Sequence, residues 1–422
     1  MARACRVGAI AMRFLHAADV HLDSPLRGLD EYEGAPVQAL RGATRKAFAA
    51  LVQLALAERV DFVILAGDLY DGDWPDFNTG LFFVNRVREL VRSGIPVVLL
   101  SGNHDAASRI TARLTLPANV HALPTAEPGT IRFDNLRVAV HGQGYARQAE
   151  TRNLAVGYPA PVAGFFNVGV LHTALDGREG HAPYAPCIVD ELVGRGYDYW
   201  ALGHIHKRES VNGGRHPRIE FPGNLQGRHV RESGAKGCLL VTVDGDAQAV
   251  PEFRPLDVFR WETVVVNAAA AESVADVLES ARADLSDARD RADGRPLAAR
   301  LVISCSESVS LSLASDPEQF RADLRGQAGG DVWIEKIKVA PTRTARAEEP
   351  TLGEDAASEL RAVLDELRSH PEDARAVFAA GDCGKLVNRL PPDLRAAFEQ
   401  SWDDVFARTL ALLQARPLES AP

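Results

Sequence analysis

The segment Ser101-Gly102-Asn103-His104-Asp105 follows an unbroken apolar run, residues 95–100, which predicts a fully buried β-strand. Gly102 ends this strand, and an amide, an imidazole and a carboxylate then follow in consecutive positions. Burying polar groups at the mouth of a strand costs free energy unless each one has a partner. We therefore predict that Asn103 is a metal ligand, that His104 faces a substrate, and that Asp105 orients the imidazole of His104.

The composition of the 422-residue chain indicates a soluble globular protein of two or three domains, with 46% hydrophobic and 25% charged residues. No apolar segment approaches the roughly 18 residues needed to span a bilayer, and the N-terminus lacks the apolar region of a secretory signal. Five scattered cysteines without a C-x-x-C pair favour a reducing compartment, so we expect a cytoplasmic protein. The net charge of −10 means that nucleic acid binding would need a local basic surface and metal ions.

Strands and helices alternate around the opening segment. Helices are predicted at residues 44–58 and 78–91, between strands, and this β-α-β-α-β order implies parallel strands with right-handed crossovers. Later β segments would complete a second sheet, so the predicted fold class is α/β: a sandwich of two mixed sheets flanked by helices. The predicted strands are residues 13–18, 60–66, 95–100, 131–133, 137–141, 167–171, 199–203, 219–221 and 237–243.

Beyond this sandwich the chain divides further. Residues 250–257 are predicted to be a Pro-containing link, and a β-α-β-α-β pattern over residues 263–339 predicts a small α+β domain. A polar linker and C-terminal helices follow, and an apolar stripe in these helices is either intramolecular core or a surface for a partner. The stripe consists of Leu394, Phe398, Trp402 and Phe406. The predicted regions are residues 12–255, 256–342 and 354–416.

Every unusual polar cluster in the first half of the chain lies at the carboxyl end of a predicted strand. In α/β sheets this edge is where ligands bind. Residues i and i+2 just beyond a strand point the same way, so a D-x-H or H-x-H pair can reach one ion. One histidine at a strand end is usually structural, and the prediction therefore rests on five clusters together. Their members are Asp19, His21, Asp68, Asn103, His104, His172, His204 and His206.

The chemistry of these donors favours two metal ions. They are too many for one ion, and a carboxylate such as Asp68 can bridge two. The lack of thiolates disfavours structural zinc and suits Mn²⁺ or a similar ion. Two ions about 3.5–4 Å apart would clamp a phosphoryl group and lower the pKa of a shared water toward about 7. A metal-bound hydroxide would then attack, with His104 as general acid.

The ordered motifs D-x-H, GD, GNHD, H and GHIH resemble the signature of the calcineurin-like metallophosphoesterases over roughly residues 12–250. The resemblance implies that His104 is the catalytic residue that faces the substrate. It assigns one ion to Asp19, His21, Asp68 and His206. It assigns the other ion to Asp68, Asn103, His172 and His204.

Longer segments resemble particular groups within this family. Residues 14–25 and 67–71 look like the SbcD-like DNA repair nucleases, and residues 197–204 and 222–229 resemble the YhaO-type family. This implies a manganese-dependent DNA exonuclease or endonuclease, paired with a separate SMC-like (SbcC-like) ATPase; a homodimer is a further assembly to consider. Asp71 departs from the pattern, because some nuclease relatives have a histidine there.

A local excess of basic residues follows the last metal motif. Residues 202–236 contain seven Lys or Arg and three Glu, and Arg228, His229 and Arg231 are candidates for phosphate contacts; the alternative is a solvated loop surface.

We predict a two-metal-ion phosphodiesterase that hydrolyses DNA. The alternatives are a phosphodiesterase for nucleotides or small phosphoesters on the same metal centre and a non-catalytic scaffold, which the full set of ligands disfavours.

Overall fold

The first sheet is built from parallel strands joined by helices, with two antiparallel strands added at one side. The computed structural model describes residues 11–25, 36–71, 78–106, 115–177 and 183–341. Across this sheet the strand order is β12 (Ala249–Pro255), β11 (Gly237–Val243), β1 (Met12–Ala17), β2 (Phe62–Ala66), β3 (Val97–Leu100) and β4 (Val120–Ala122).

The second sheet is also mixed. Four of its strands run parallel to one another, and the strands at its two edges are antiparallel to their neighbours. Its order is β5 (Gly129–Phe133), β6 (Val138–Gly142), β7 (Phe166–His172), β8 (Tyr199–Gly203), β10 (Arg218–Phe221) and β9 (Glu209–Ser210).

Helices cover the outer face of the first sheet because their apolar residues recur at helical spacing. Phe48 and Leu51 on one helix and Phe83 and Val87 on another are buried against that sheet. The two helices predicted from periodicity are confirmed, with small shifts at their ends. The helices of this part of the fold are α1 (Val37–Arg41), α2 (Ala43–Glu58), α3 (Asn78–Arg92), α4 (Asn103–Ala106) and α5 (Val189–Gly194).

The two sheets pack face to face through aromatic and β-branched side chains. Phe14 stacks on Phe62 with ring centroids 4.7 Å apart. The ring of Tyr199, from the second sheet, lies nearly perpendicular to that of Phe14, with centroids 5.3 Å apart. Val138 and Val168 are fully buried in the same cluster. The predicted fold class, a two-sheet α/β sandwich flanked by helices, is therefore confirmed.

Residues 250–257 are not the simple link that the sequence predicts. Most of them belong to β12, which pairs antiparallel with β11 along its whole length. Pro251 and Pro255 lie in this strand, and proline is tolerated there because β12 is at the edge of the sheet, where no other strand of the described residues pairs with its outer side.

A third sheet of three parallel strands forms the accessory part of the fold. The β-α-β-α-β pattern is present there, with one additional helix, α7, which the sequence analysis missed. The elements are β13 (Arg260–Ala268), α6 (Val274–Arg291), β14 (Leu297–Cys305), α7 (Glu307–Ser315), α8 (Pro317–Ala328) and β15 (Val332–Pro341).

The predicted helical region 354–416, with its apolar stripe, lies outside the described residues. Where the structure describes the chain, every helix is too short or too polar to cross a membrane.

His16 on β1 is a fully buried histidine that has a structural role. Its Nε2 lies 3.1 Å from the carbonyl oxygen of Leu202 and therefore donates, so Nδ1 accepts from the hydroxyl of Tyr199 at 3.0 Å. Burial lowers the pKa of His16 to about 3, against the smaller opposing effect of the Leu202 carbonyl. The ring is therefore neutral in the folded protein.

We predict that His16 makes the fold sensitive to mild acid. The unfolded chain protonates this ring near pH 6.5, and the folded chain does so only near pH 3. Stability from the neutral ring is complete above about pH 6.5 and is lost as the pH falls toward 3, by up to about 1.4 kcal/mol per pH unit. Urea unfolding of metal-free protein at about pH 7 and about pH 5 should show a smaller loss of stability for His16→Gln than for the wild type. Equal losses would contradict the prediction.

Candidate metal centre

The predicted ligands meet at one edge of the sandwich, where β1, β2, β3, β7 and β8 end. Three groups of side chains have ligand atoms within 4.8 Å of one another, and one of them, His21, Asp71 and His104, shares His21 with the first group described below. The first ligand group is Asp19, His21 and His206. The second ligand group is Asp68, His172 and His204. Asn103 joins the second group, since its Oδ1 lies 3.1 Å from Nε2 of His172.

In the first ligand group, ring nitrogens and a carboxylate point toward one another. Nε2 of His21 lies 3.2 Å from Nε2 of His206, which lies 3.7 Å from Oδ1 of Asp19. Nδ1 of His206 donates to Glu232 at 2.7 Å, so its Nε2 carries a lone pair. The carboxylate of Asp19 accepts from the backbone N–H of His204, which fixes its direction.

In the second ligand group, His172 is fixed in the same way. Its Nδ1 donates to the carbonyl oxygen of Ala66 at 3.0 Å, so Nε2 is the nitrogen that carries the lone pair whenever the ring is neutral, as it is in a metal ligand. This nitrogen lies 3.3 Å from Oδ2 of Asp68, while Oδ1 of Asp68 accepts from the backbone N–H of His104 at 2.9 Å. Oδ2 of Asp68 also lies 3.9 Å from Nε2 of His21, so Asp68 lies between the two ligand groups.

These contacts bring oxygens and ring nitrogens so close together that a positive charge, a proton or a metal ion, has to lie between them. Burial lowers the pKa of His21 to about 3, so this ring is neutral, as a ligand must be. Burial opposes ionisation of Asp68 and protonation of His172. Their mutual attraction is stronger, however: it holds the pKa of Asp68 well below its usual range and raises that of His172 to about 9. Carboxylate, amide and imidazole donors without thiolates fit divalent metal ions.

The backbone at this edge adopts conformations that side chains normally avoid. Asp19, His21, Asp68 and His204 all have positive φ, at 50°, 47°, 51° and 95°. Such residues cost of order 1–3 kcal/mol each and cluster at functional sites. Their buried positions indicate that the surrounding strands hold them there.

Glycines provide the space for the ligands. A Cβ on Gly102 would collide with the carboxylate of Asp68, and a Cβ on Gly67 would collide with the ring of His172. A Cβ on Gly203 would collide with the carbonyl oxygen of Ala66 and with the same ring. The glycine of each motif is therefore needed for close packing around the ligands.

His104 is oriented by Asp71 and not by Asp105, which corrects our expectation. Nδ1 of His104 lies 2.7 Å from Oδ1 of Asp71, and this hydrogen bond raises the pKa of His104. Nδ1 of His21 lies 3.7 Å from the same oxygen. The two oxygens of Asp105 instead accept from the backbone N–H groups of Gly102, Leu69 and Tyr70 at 2.9–3.1 Å. Asp105 thus connects the two loops behind the ligands, because backbone donors, and not an imidazole, surround its carboxylate.

The three residues predicted to contact phosphates differ in exposure. Half of the His229 side chain is exposed, and Arg231 is exposed as well. Arg228 is largely buried and binds Glu232 at 2.9 Å and Asp71 at 3.4 Å. The sequence analysis missed Glu232, which it counted only as an opposing charge; its spacing from His206 carries no signal of their contact.

Comparisons with known proteins identify the family. Residues 12–208 match the family model of the calcineurin-like phosphoesterases, and residues 261–342 match that of the middle domain of metallophosphoesterase YhaO. The chain is 36% identical over 296 residues to an uncharacterized metallophosphoesterase YhaO of Bacillus subtilis (strain 168), over 69% of this chain and 71% of that protein. The chain belongs to the calcineurin-like phosphoesterases. It is thus a hydrolase of a family whose fold holds divalent metal ions.

The comparisons also give two more distant matches. The DNA double-strand break repair protein Mre11 of Methanopyrus kandleri is 27% identical over 277 residues, which cover 60% of this chain and 59% of that protein. A crystal structure of a dimetal phosphatase from Danio rerio matches with a TM-score of 0.31 and 13% identity, over 57% of this chain and 98% of that chain.

We predict that Gly203→Ala damages the metal centre of this phosphoesterase. The new Cβ would press on the carbonyl of Ala66 and on His172, so we expect a loss of about 1–3 kcal/mol in stability and weaker Mn²⁺ binding. Gly245→Ala is the matched control, because a Cβ there meets open space and should change stability by less than about 0.5 kcal/mol. Urea unfolding and calorimetric Mn²⁺ titration of both variants test this. Wild-type Mn²⁺ affinity in Gly203→Ala would contradict it.

Proposed function

We propose that the chain is a two-metal-ion phosphodiesterase that hydrolyses DNA, as an exonuclease or endonuclease of DNA repair. The observation that carries the proposal is the placement of His104. Its side chain is 37% exposed at the mouth of the centre, whereas 21% of the His206 side chain is exposed and the other predicted ligands are buried. His104 is thus accessible to a substrate beside the ligand groups.

The roles of the chain's own residues follow from their contacts. Bound divalent ions, for which we propose Mn²⁺, would neutralise phosphate charge and activate water. Asp71 accepts a hydrogen bond from Nδ1 of His104. The other ring nitrogen, Nε2, is therefore the one that can hold a proton and transfer it. Because the hydrogen bond to Asp71 raises the pKa of His104, the ring can stay protonated and act as general acid toward the leaving oxygen.

DNA is the proposed substrate because of two observations. One relative, at 27% identity, is named as a DNA double-strand break repair protein. The exposed residues His229 and Arg231 lie on the loop that also carries Arg228, close to the centre. A nucleotide or small phosphodiester is the second candidate. The positive charge of the buried Arg228 side chain is already paired with Glu232 and Asp71, so it is not available to hold a DNA backbone.

The partner and the compartment are proposed from the sequence. We propose an SMC-like ATPase as partner, on the resemblance to the SbcD-like nucleases, and a homodimer as a further assembly. The candidate partner surface around Trp402 lies outside the described residues. Cys187, Cys238 and Cys305 are free and buried, which supports a reducing compartment such as the cytoplasm.

We predict that purified protein with Mn²⁺ cleaves linear DNA as well as bis-p-nitrophenyl phosphate. Arg231→Gln should weaken DNA cleavage, most clearly at low salt, and should leave turnover of the small ester unchanged because it removes one exposed charge outside the ligand groups. The measurement is the rate on both substrates for wild type and variant. Turnover of the small ester without DNA cleavage, with and without the ATPase partner, would favour the second candidate.

We predict that Asp68→Ala and His104→Ala fail in different ways. Asp68 lies between the two ligand groups, so its loss should remove metal and activity together. His104 is in neither the first nor the second ligand group and shares a third only with His21 and Asp71, so His104→Ala should bind both ions and lose turnover by about 10²–10⁴-fold. Metal content by mass spectrometry and the ester assay distinguish the two. Unchanged turnover in His104→Ala would disprove its role as general acid.

A further inference from the structure

Glu232 is a buried carboxylate behind the first ligand group, with 5% of its side chain exposed. Five N–H donors from three residues converge on it. One oxygen accepts from Nδ1 of His206 at 2.7 Å and from Nη2 of Arg228 at 2.9 Å. The other accepts from Asn224 at 3.0 Å, from the backbone N–H of Arg228 at 2.8 Å and from its Nε at 3.4 Å. So many donors leave the carboxylate a single orientation.

The contact with His206 decides which ring nitrogen carries the proton. A carboxylate oxygen only accepts, and its contact with Nδ1 at 2.7 Å is much shorter than that of the donor Nη2 of Arg228 with the same nitrogen at 3.3 Å, so in the neutral ring the proton lies on Nδ1 and the lone pair on Nε2. Nε2 is the atom that faces His21 and Asp19, at 3.2 and 3.7 Å. A hydrogen-bond partner of this kind, on the far nitrogen of a ligating histidine, sets the ring orientation and raises its basicity.

The contact with Arg228 also links Glu232, through Asp71, to His104. Nη1 of Arg228 lies 3.4 Å from Asp71, whose other oxygen binds His104. Arg228 thus lies between two carboxylates, each of which holds a histidine of the centre. Without Glu232, the bidentate contact that fixes the guanidinium would be lost.

The loop that carries Glu232 is braced from the accessory part of the fold. Nε1 of Trp261 donates to the carbonyl oxygen of Gly227 at 3.1 Å. Gln226 accepts from the backbone N–H of Val258 at 2.8 Å, and its amide donates back to the chain. These contacts fix the loop independently of any ion, so the carboxylate is in place before a metal binds.

We infer that Glu232 is a positioning residue of the metal centre, an inference that rests on the proposed function. Its carboxylate keeps the proton of His206 on Nδ1 and so presents Nε2 to an ion. It also fixes Arg228 against Asp71. The role is specific to the ion at the first ligand group, because Glu232 touches none of Asp68, Asn103, His172 and His204.

The test is Glu232→Gln in the full chain, titrated with Mn²⁺ by calorimetry. A glutamine places an N–H group either against Nδ1 of His206 or against the donors of Arg228 and Asn224, so one contact becomes donor against donor. We expect the affinity for one of the two ions to fall by about 10–100-fold and the affinity for the other to stay within a few-fold of wild type. A general structural effect would weaken both ions.

Glu220→Gln is the matched control, because Glu220 is an equally buried carboxylate whose partners, Ser210 and Arg218, are not part of the centre. It should bind both ions as the wild type does. If Glu232→Gln does not fold, Glu232→Asp keeps the charge but withdraws it from His206, and the same selective loss is expected. Wild-type affinity for both ions in a folded Glu232 variant would overturn the inference. A wild-type chain that binds no Mn²⁺ would overturn the proposed metal centre itself.

Discussion

The structure depends on acceptor atoms that the fold forces to face one another at one sheet edge. Nδ1 of His172 donates to the carbonyl of Ala66, so Nε2 is the nitrogen that faces Asp68 at 3.3 Å and Asn103 at 3.1 Å, and the raised pKa of His172 shows that a proton is favoured there when no ion is bound. Acceptors at these distances repel unless a positive charge lies between them. A divalent ion would take the place of that proton, so the centre is best understood as a site preformed for cations.

A preformed site of this kind needs a rigid frame. The four candidate ligands with positive φ are buried at the ends of strands, where neighbouring strands and backbone hydrogen bonds leave them no alternative conformation. The frame includes carboxylates that bind no ion in our proposal. Asp105 connects the loops after β2 and β3 through three backbone N–H groups, and Glu232 holds His206. The centre therefore extends well beyond the ligands.

The sequence predicts the ligands better than it predicts their supports. D-x-H and GNH follow buried strands, and strand ends that share a sheet edge must meet, so the meeting of distant residues such as Asp19 and His206 follows from topology alone. The supports have no such pattern. Asp71 and Asp105 are both aspartates shortly after a strand, and only side-chain geometry decides which one faces His104. Glu232 approaches His206 through a loop whose path depends on packing against Trp261. Edge strand β12 was missed because its prolines suggest a link.

The burial of Arg228 bears on how a substrate is recognised. An arginine clamp on phosphate needs free donors, but this guanidinium already lies between Glu232 and Asp71. If these contacts persist in the complex, the ions and His104 supply most of the attraction for the scissile phosphate. Such a centre distinguishes poorly between one phosphodiester and another, because it contacts only the group that all of them share. If DNA is the substrate, as we propose, selectivity for it must come from exposed residues outside the centre, of which His229 and Arg231 are the candidates on the adjoining loop.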